Sequence, residues 1–189
     1  MMRLIRLVLP LFCLLTLVAP GPALAVSGSS AASRTAASPE TQLEAMRKLA
    51  FMVGTWAGTG WATTSTGARQ EFLQTERVRY QASDLVISIE GQGRDKADPR
   101  QIADSALAVI NFNDITGQYR WEAFSRGYVT TVVPVVGDDL FQWSLQTPAA
   151  TIRYTLRFTA TAWHEIGEVT TDGGQTWHQN FQMDLLRIH

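Results

Sequence analysis

The chain has 189 residues, 46% of them hydrophobic and 17% charged, with a formal net charge of −1. That is enough for one globular domain with a core of its own, and it excludes a disordered chain. The balanced charge leaves no basic footprint, which excludes nucleic acid as a partner, and one cysteine excludes a disulfide framework.

Residues 1–25, MMRLIRLVLPLFCLLTLVAPGPALA, read as a secretory signal peptide. Arg3 and Arg6 precede an apolar run from Leu7 to Val18, and Ala23-Leu24-Ala25 is the small-residue pattern before cleavage. The run is short of the roughly 20 residues that a span needs, so no integral membrane span is expected once it is removed. The residues before Cys13 are Leu-Pro-Leu-Phe rather than the small ones of a lipoprotein box, so no lipid anchor is expected there. Removal takes away two positive charges and the only cysteine, which leaves the mature chain near −3. An exported domain without disulfides is held by its core alone and suits a bacterial periplasmic or secreted location. Residues 26–38 are rich in Ser and Ala and read as a flexible tether. Residues 39–189 are then a single domain.

Ordered structure is expected to open on a short helix. Leu43, Met46, Leu49, Ala50 and Val53 recur at helical spacing, Ser38 is a cap, Pro39 suits a first helical position, and Gly54 ends the run. From there the period becomes two. About ten strands follow, near 54–63, 70–80, 84–93, 105–112, 117–125, 128–136, 139–146, 150–159, 162–171 and 175–188. Their links are mostly short and polar, which favours hairpins. A meander of this length is stable when closed, so the fold class is all-β: an antiparallel up-and-down β-barrel of about ten strands with one short N-terminal helix.

Alternation assigns faces. Ile152, Tyr154, Leu156 and Phe158 share one face of their strand, and Phe141, Trp143 and Leu145 one face of another. Trp177, Phe181, Met183 and Leu185 share a face of the last strand, with His178 on the other. Six Trp, eight Phe and four Tyr either fill the barrel or line a cavity. Eight strands are just filled by side chains and a wider barrel leaves ligand space. The residues expected to line that space are Trp121, Trp143, Tyr154 and Phe158, with Glu76 as the polar member. Glu76 shares a face with Phe72, Gln74, Val78 and Tyr80, and it either orients a ligand head group or pairs with an arginine. Arg120 and Glu122 belong to the outer face. Equal spacing about Gly173 sets Glu168 opposite His178, an acid–base pair or a surface salt bridge that a one-residue slip undoes.

TTDGGQTW, Thr170 to Trp177, resembles the Asp-box of sialidases and related propellers. Every residue of it has a structural task in a hairpin: Asp172 bonds backbone amides, the glycines supply positive φ, and Trp177 packs inward. There is one copy, too few strands for a propeller, and no carboxylate pair visible for glycoside hydrolysis. The turn is the better reading.

A second resemblance spans most of the mature chain. A short helix leading into Gly54-Thr55-Trp56 on the first strand, with Arg187 near the end of the last, resembles calycin-type barrels, the group of lipocalins, nitrobindin-like and fatty-acid-binding-like proteins. Together with Ile110 to Gly127 and the DGGQTW hairpin, it is most similar to a bacterial exported domain family of unknown function within that group. The resemblance implies that Arg187 stacks on Trp56 and closes the barrel base. It also implies a cavity for a small apolar or amphipathic molecule. Nitrobindins hold haem through a histidine near the C-terminus; His164, His178 and His189 are present, but His178 reads as outward, so no cofactor is expected.

No zinc spacing, nucleophile elbow or phosphate loop appears. Three functions stay open. The first is a non-catalytic carrier of a small apolar or amphipathic ligand. The second is an enzyme, which requires Glu76 buried, raised in pKa and near a second polar group. The third is an envelope interaction module with a filled barrel and an apolar outer patch at Val132, Val133, Val135 and Val136. The oligomeric state is open.

Overall fold

The computed structural model describes residues 38–188. The signal peptide with Cys13, the tether up to residue 37, and His189 lie outside those residues. Helix α1 (Pro39–Arg47) and a 3₁₀ turn (Ala50–Met52) precede eleven strands. These are β1 (Gly54–Thr63), β2 (Arg69–Gln81), β3 (Val86–Asp95), β4 (Ile102–Asn113), β5 (Gln118–Ser125), β6 (Tyr128–Val132), β7 (Val135–Gly137), β8 (Leu140–Gln146), β9 (Thr151–Phe158), β10 (Ala162–Thr170) and β11 (His178–Ile188). They form one antiparallel sheet in the order β6-β5-β4-β3-β2-β1-β11-β10-β9-β8-β7. The architecture is the expected all-β up-and-down barrel with one short helix.

The count is eleven rather than ten because the run 128–136 breaks at Pro134. Proline has no N–H to give to a ladder. β6 and β7 therefore stand at the two ends of the sheet order, joined by the chain but not by hydrogen bonds. β6 comes alongside β8 across this seam. The break also turns Val132 and Val136 onto the core and leaves Val133 and Val135 exposed, so only half of the expected valine patch is on the surface.

The helix also ends earlier than its pattern predicts, at Arg47 rather than before Gly54. Ser38 caps it, with Oγ accepting from the Thr41 N–H at 3.4 Å, and Pro39 is its first residue. Beyond Arg47, Leu49 and Met52 follow Met46 at intervals of three. That spacing suits a tighter turn, and all three side chains are fully buried in one end of the barrel. Two tyrosines satisfy carbonyls at the helix end: Tyr119 donates to Ala45 O at 2.6 Å and Tyr80 to Met46 O at 3.2 Å.

Trp56 lies over this plug with no exposed surface and donates its indole N–H to Met52 O at 2.9 Å. Its cross-strand partner is Arg187, whose guanidinium carbon sits 4.0 Å from the indole centroid. The same guanidinium donates to Ala160 O at 2.9 Å, to Phe51 O at 3.1 Å and to Val53 O. Gly54 makes room for it: φ is +145°, and a Cβ there would stand 2.3 Å from Arg187 Nη1.

The last hairpin is the turn that TTDGGQTW predicts, with one change. Asp172 Oδ1 accepts from the amides of Gln175 and Thr176 at 2.9 and 3.0 Å and from the Thr170 hydroxyl at 2.7 Å. The Thr176 hydroxyl, its amide and the Thr170 hydroxyl hold the Asp172 carboxyl well below the usual carboxylate range. Gly173 and Gly174 have φ of +74° and +95°. Trp177, however, does not pack inward. It precedes β11, donates to Gly174 O at 3.2 Å, and lies 4.0 Å beneath the Arg153 guanidinium on the outer face. A bulge at Gly167/Glu168 absorbs one residue, so Glu168 pairs with Gln179 rather than with His178 and takes Arg153 at 2.9 Å instead.

Replacing Arg187 by Ala removes the stacking and three charge-assisted hydrogen bonds, leaving the part-buried carbonyls of Phe51 and Val53 without that partner. The expected loss is about 2–4 kcal/mol of unfolding free energy, read by urea denaturation. An Arg187→Ala protein as stable as the parent would show that the base is not closed by this contact.

Candidate functional site

The end of the barrel away from α1 carries no helix among the described residues, and its inward side chains are of a different kind. On β2 the alternation of FLQTERVRY puts Phe72, Gln74, Glu76, Val78 and Tyr80 on the inner face. Val78 packs toward the base, while Glu76, 7% exposed, is a carboxyl inside the lumen. Gln74 Nε2 donates to Glu76 Oε1 at 2.6 Å. The arginine partner that the sequence allowed is not there: Arg77 and Arg79 alternate to the outer face, and Arg187 is engaged at the base. Glu76 sits instead over the bare backbone of Gly91, where a Cβ would meet Oε1 at 2.7 Å and Oε2 at 2.9 Å. Gly93 clears the same space for Gln74, whose Oε1 would be 2.9 Å from a Cβ.

A second carboxyl faces it. Glu165 on β10 lies between inward Trp163 and Gly167 and is 8% exposed. Loss of hydration drives both groups up. Glu76 rises to about 7, with Gln74 pulling the other way and the Asp104 charge adding to the rise. Glu165 rises to about 8, pushed further by Glu76 and held back only by the Trp163 indole N–H. That N–H is buried without completing a hydrogen bond, as is the indole N–H of Trp121. Tyr154, beside Glu165, is raised to about 12, chiefly by burial.

Beside the carboxyls runs a continuous ladder of rings. Trp121 and Trp143 have centroids 4.0 Å apart, Trp143 and Tyr154 stack at 4.4 Å and 15°, Tyr154 meets Phe181 edge-on at 5.5 Å, and Phe181 stacks on Phe72 at 5.7 Å. Gly167 lets Tyr154 lie flat, since a Cβ there would be 2.8 Å from Tyr154 Cε1. Trp143, Tyr154, Phe181 and Phe72 are half-buried, so the ladder reaches the rim.

Of the five residues singled out from sequence, Trp121, Trp143, Tyr154 and Glu76 come together here. Phe158 does not. It packs at the closed base against Phe51, Trp56 and Trp163, at 5.1, 5.7 and 4.8 Å. Glu165 was missed, although Trp163-x-Glu165-x-Gly167 carries it onto the inner face by the same alternation. Among the described histidines, His164 is on the outer face with Nδ1 2.5 Å from Asp184, and His178 is exposed at the rim. Neither is a buried imidazole, and His189 lies outside the described residues.

Two grooves, of about 360 and 450 Å³, lie on the outer surface rather than in the lumen. The first is polar, between Trp61, Arg69, Glu71, Lys96 and Asp184. The second runs beside the cross-strand row Leu107–Phe124–Val129, which is 40%, 42% and 59% exposed.

No protein-family model and no curated protein matches the chain. Solved structures do. Rv2717c from M. tuberculosis superposes with a TM-score of 0.58 at 14% identity, over 77% of this chain and 98% of that one. The S-type phycobiliprotein lyase CPES from Guillardia theta gives 0.49 at 13% identity, over 77% and 92%. The likeness is one of fold, a lipocalin- or calycin-like barrel.

The carboxyl pair makes stability depend on pH. Both groups are raised above their ordinary 4.5, so the folded chain keeps protons that the unfolded chain has released. Their contribution is complete below about pH 4.5 and is lost as pH rises through about 7 and 8. The lowered carboxyls, Glu71, Asp95, Asp98, Asp114, Asp172 and Asp184, act only on the acid side of this window. Unfolding free energy is therefore expected to fall by about 2 kcal/mol per pH unit between pH 5 and 8, and Glu165→Gln to flatten that slope. A parent protein with no slope in this range would remove the pair from the account.

Proposed function

We propose that this chain is an exported barrel that takes a small amphipathic molecule into the open end of its lumen and performs no chemistry on it. One observation carries the reading: a wall of aromatic rings that reaches the rim lies beside two buried carboxyls that no protein cation neutralises among the described residues. Rings give a ligand apolar contact, and a few convergent polar groups fix its orientation. The ligand residues are Trp121, Trp143, Tyr154 and Glu76, as read from sequence, with Gln74, Glu165 and Phe181 added and Phe158 assigned to the base. The signal peptide supports a periplasmic or secreted location, and the resemblance over Ile110 to Gly127 and the DGGQTW hairpin supports kinship with the bacterial exported domain family. No cofactor is part of the proposal.

One observation favours a second reading, an acid–base enzyme. Glu76 is buried, raised to about 7 and next to Gln74 and Glu165, which is how a general base is poised near neutral pH. The carrier is preferred because no third group stands out as an orienting or electrophilic partner for a reacting atom.

The test is native mass spectrometry of mature protein purified from the periplasm. Extra mass that is lost on denaturation is expected. Trp143→Ala should weaken binding of that molecule about tenfold by removing the central rung of the ladder. Protein with no extra mass, whose tryptophan fluorescence ignores apolar probes, would sink the proposal.

A further inference from the structure

The charges that face the lumen are of one sign. β2 brings Glu76 and the Gln74 amide, β4 brings Asp104, β9 brings Tyr154 and β10 brings Glu165; β3 brings only Gly91 and Gly93. Two arginines approach, and both are occupied. Arg187 is bound to three carbonyls at the base, and Arg126 at the rim pairs with Asp104 at 3.0 Å. Once ionised, a carboxylate only accepts hydrogen bonds, and an unpaired one is costly to bury. Gln74 donates its Nε2 to Glu76 and so keeps Oε1 as a further acceptor, over Gly93. The polar side of the lumen thus carries acceptors and no free cation among the described residues; the donors beside it, the indole N–H groups of Trp121 and Trp163, are neutral. The rings beside it, Trp121, Trp143 and Tyr154, carry π-systems that attract positive charge.

From this we infer that the molecule this lumen recognises is a cationic amphiphile, an amine on an apolar or aromatic body, with the ammonium between Glu76 and Glu165. The inference deepens the carrier reading and rests on it. An ammonium brings three donors and one positive charge to three acceptors and two shared negative charges. A carboxylate ligand would add a third negative charge beside them. Seating the cation favours the ionised carboxyls, so binding releases protons near neutral pH.

The experiment uses three probes that share one ring: 1-naphthylmethylamine, 1-naphthalenemethanol and 1-naphthylacetate. Each is titrated into the mature protein at pH 7.5 by calorimetry. The amine is expected to bind about tenfold or more tightly than the alcohol, and the acetate more weakly than either. Its heat should vary with the ionisation enthalpy of the buffer, as proton release requires. In Glu165→Gln, and separately in Glu76→Gln, the amine should lose most of that advantage while alcohol binding holds. An alcohol or acetate that binds as tightly as the amine, or an amine preference that survives both substitutions, overturns the cation and leaves the carrier standing. Failure of all three probes to bind overturns both.

Discussion

The guanidinium of Arg187 lies on the indole of Trp56 and gives its N–H groups to carbonyls of Phe51, Val53 and Ala160, and the remaining structure depends on that contact. It ties the last strand to the first, so a linear meander becomes a ring and two exposed edges disappear. It ties both to the 3₁₀ turn, which holds Met46, Leu49 and Met52 in the barrel end. Residues 39–189 contain no cysteine, so no cross-link duplicates this function. The ring has one other weak place, the unpaired junction of β6 and β7 at Pro134. There the closure rests on packing of Val132 and Val136 against the core rather than on a ladder.

Sealing one end divides the barrel into two chemistries. The base gathers Met46, Leu49, Met52, Trp56, Ile87, Ile110 and Leu185, each with almost no exposed surface. Side chains of that size contribute about 1.5–3 kcal/mol apiece when buried, before the entropy of ordering them is set against it. The open half tolerates Glu76 and Glu165 only because the base supplies that surplus, and because the carboxyls escape the cost of a buried charge by holding protons. A base that opened would lose both the surplus and the dry surroundings that set the two acids.

Much of this was legible in the sequence because strands report their faces directly. Period-two alternation put Trp121, Trp143, Tyr154 and Glu76 inside, and Asp172-Gly173-Gly174 marked its turn. Gly54-Thr55-Trp56 with Arg187 pointed to the base. Alternation gives a face but not a height, which is why Phe158 joined the ligand residues although its place at the end of β9 carries it to the base. It also fails wherever a residue is inserted or a ladder is cut. The bulge at Gly167/Glu168 undid the Glu168–His178 pairing, and Trp177 left its strand for the Arg153 guanidinium. Glu165 escaped notice because its neighbours His164 and Ile166 look like an ordinary mixed strand, and only counting in twos from Trp163 exposes it.

The glycines decide how the open half is to be understood. A strand interior loses stability at each glycine, and a barrel selected only to persist would fill Gly91, Gly93 and Gly167 with β-branched residues. Here the missing Cβ atoms leave room for the Glu76 carboxyl, the Gln74 amide and the Tyr154 ring, each of which would clash with a methyl at under 3 Å. Two stabilising choices are thus given up together: side-chain packing on β3 and β10, and an apolar residue in place of each acid. Departures from local rules that coincide around two buried acids are what a binding site looks like before its ligand is known. The direction of the departure is informative too, since each of them makes space for a carboxyl, an amide or a ring and none makes space for a cation.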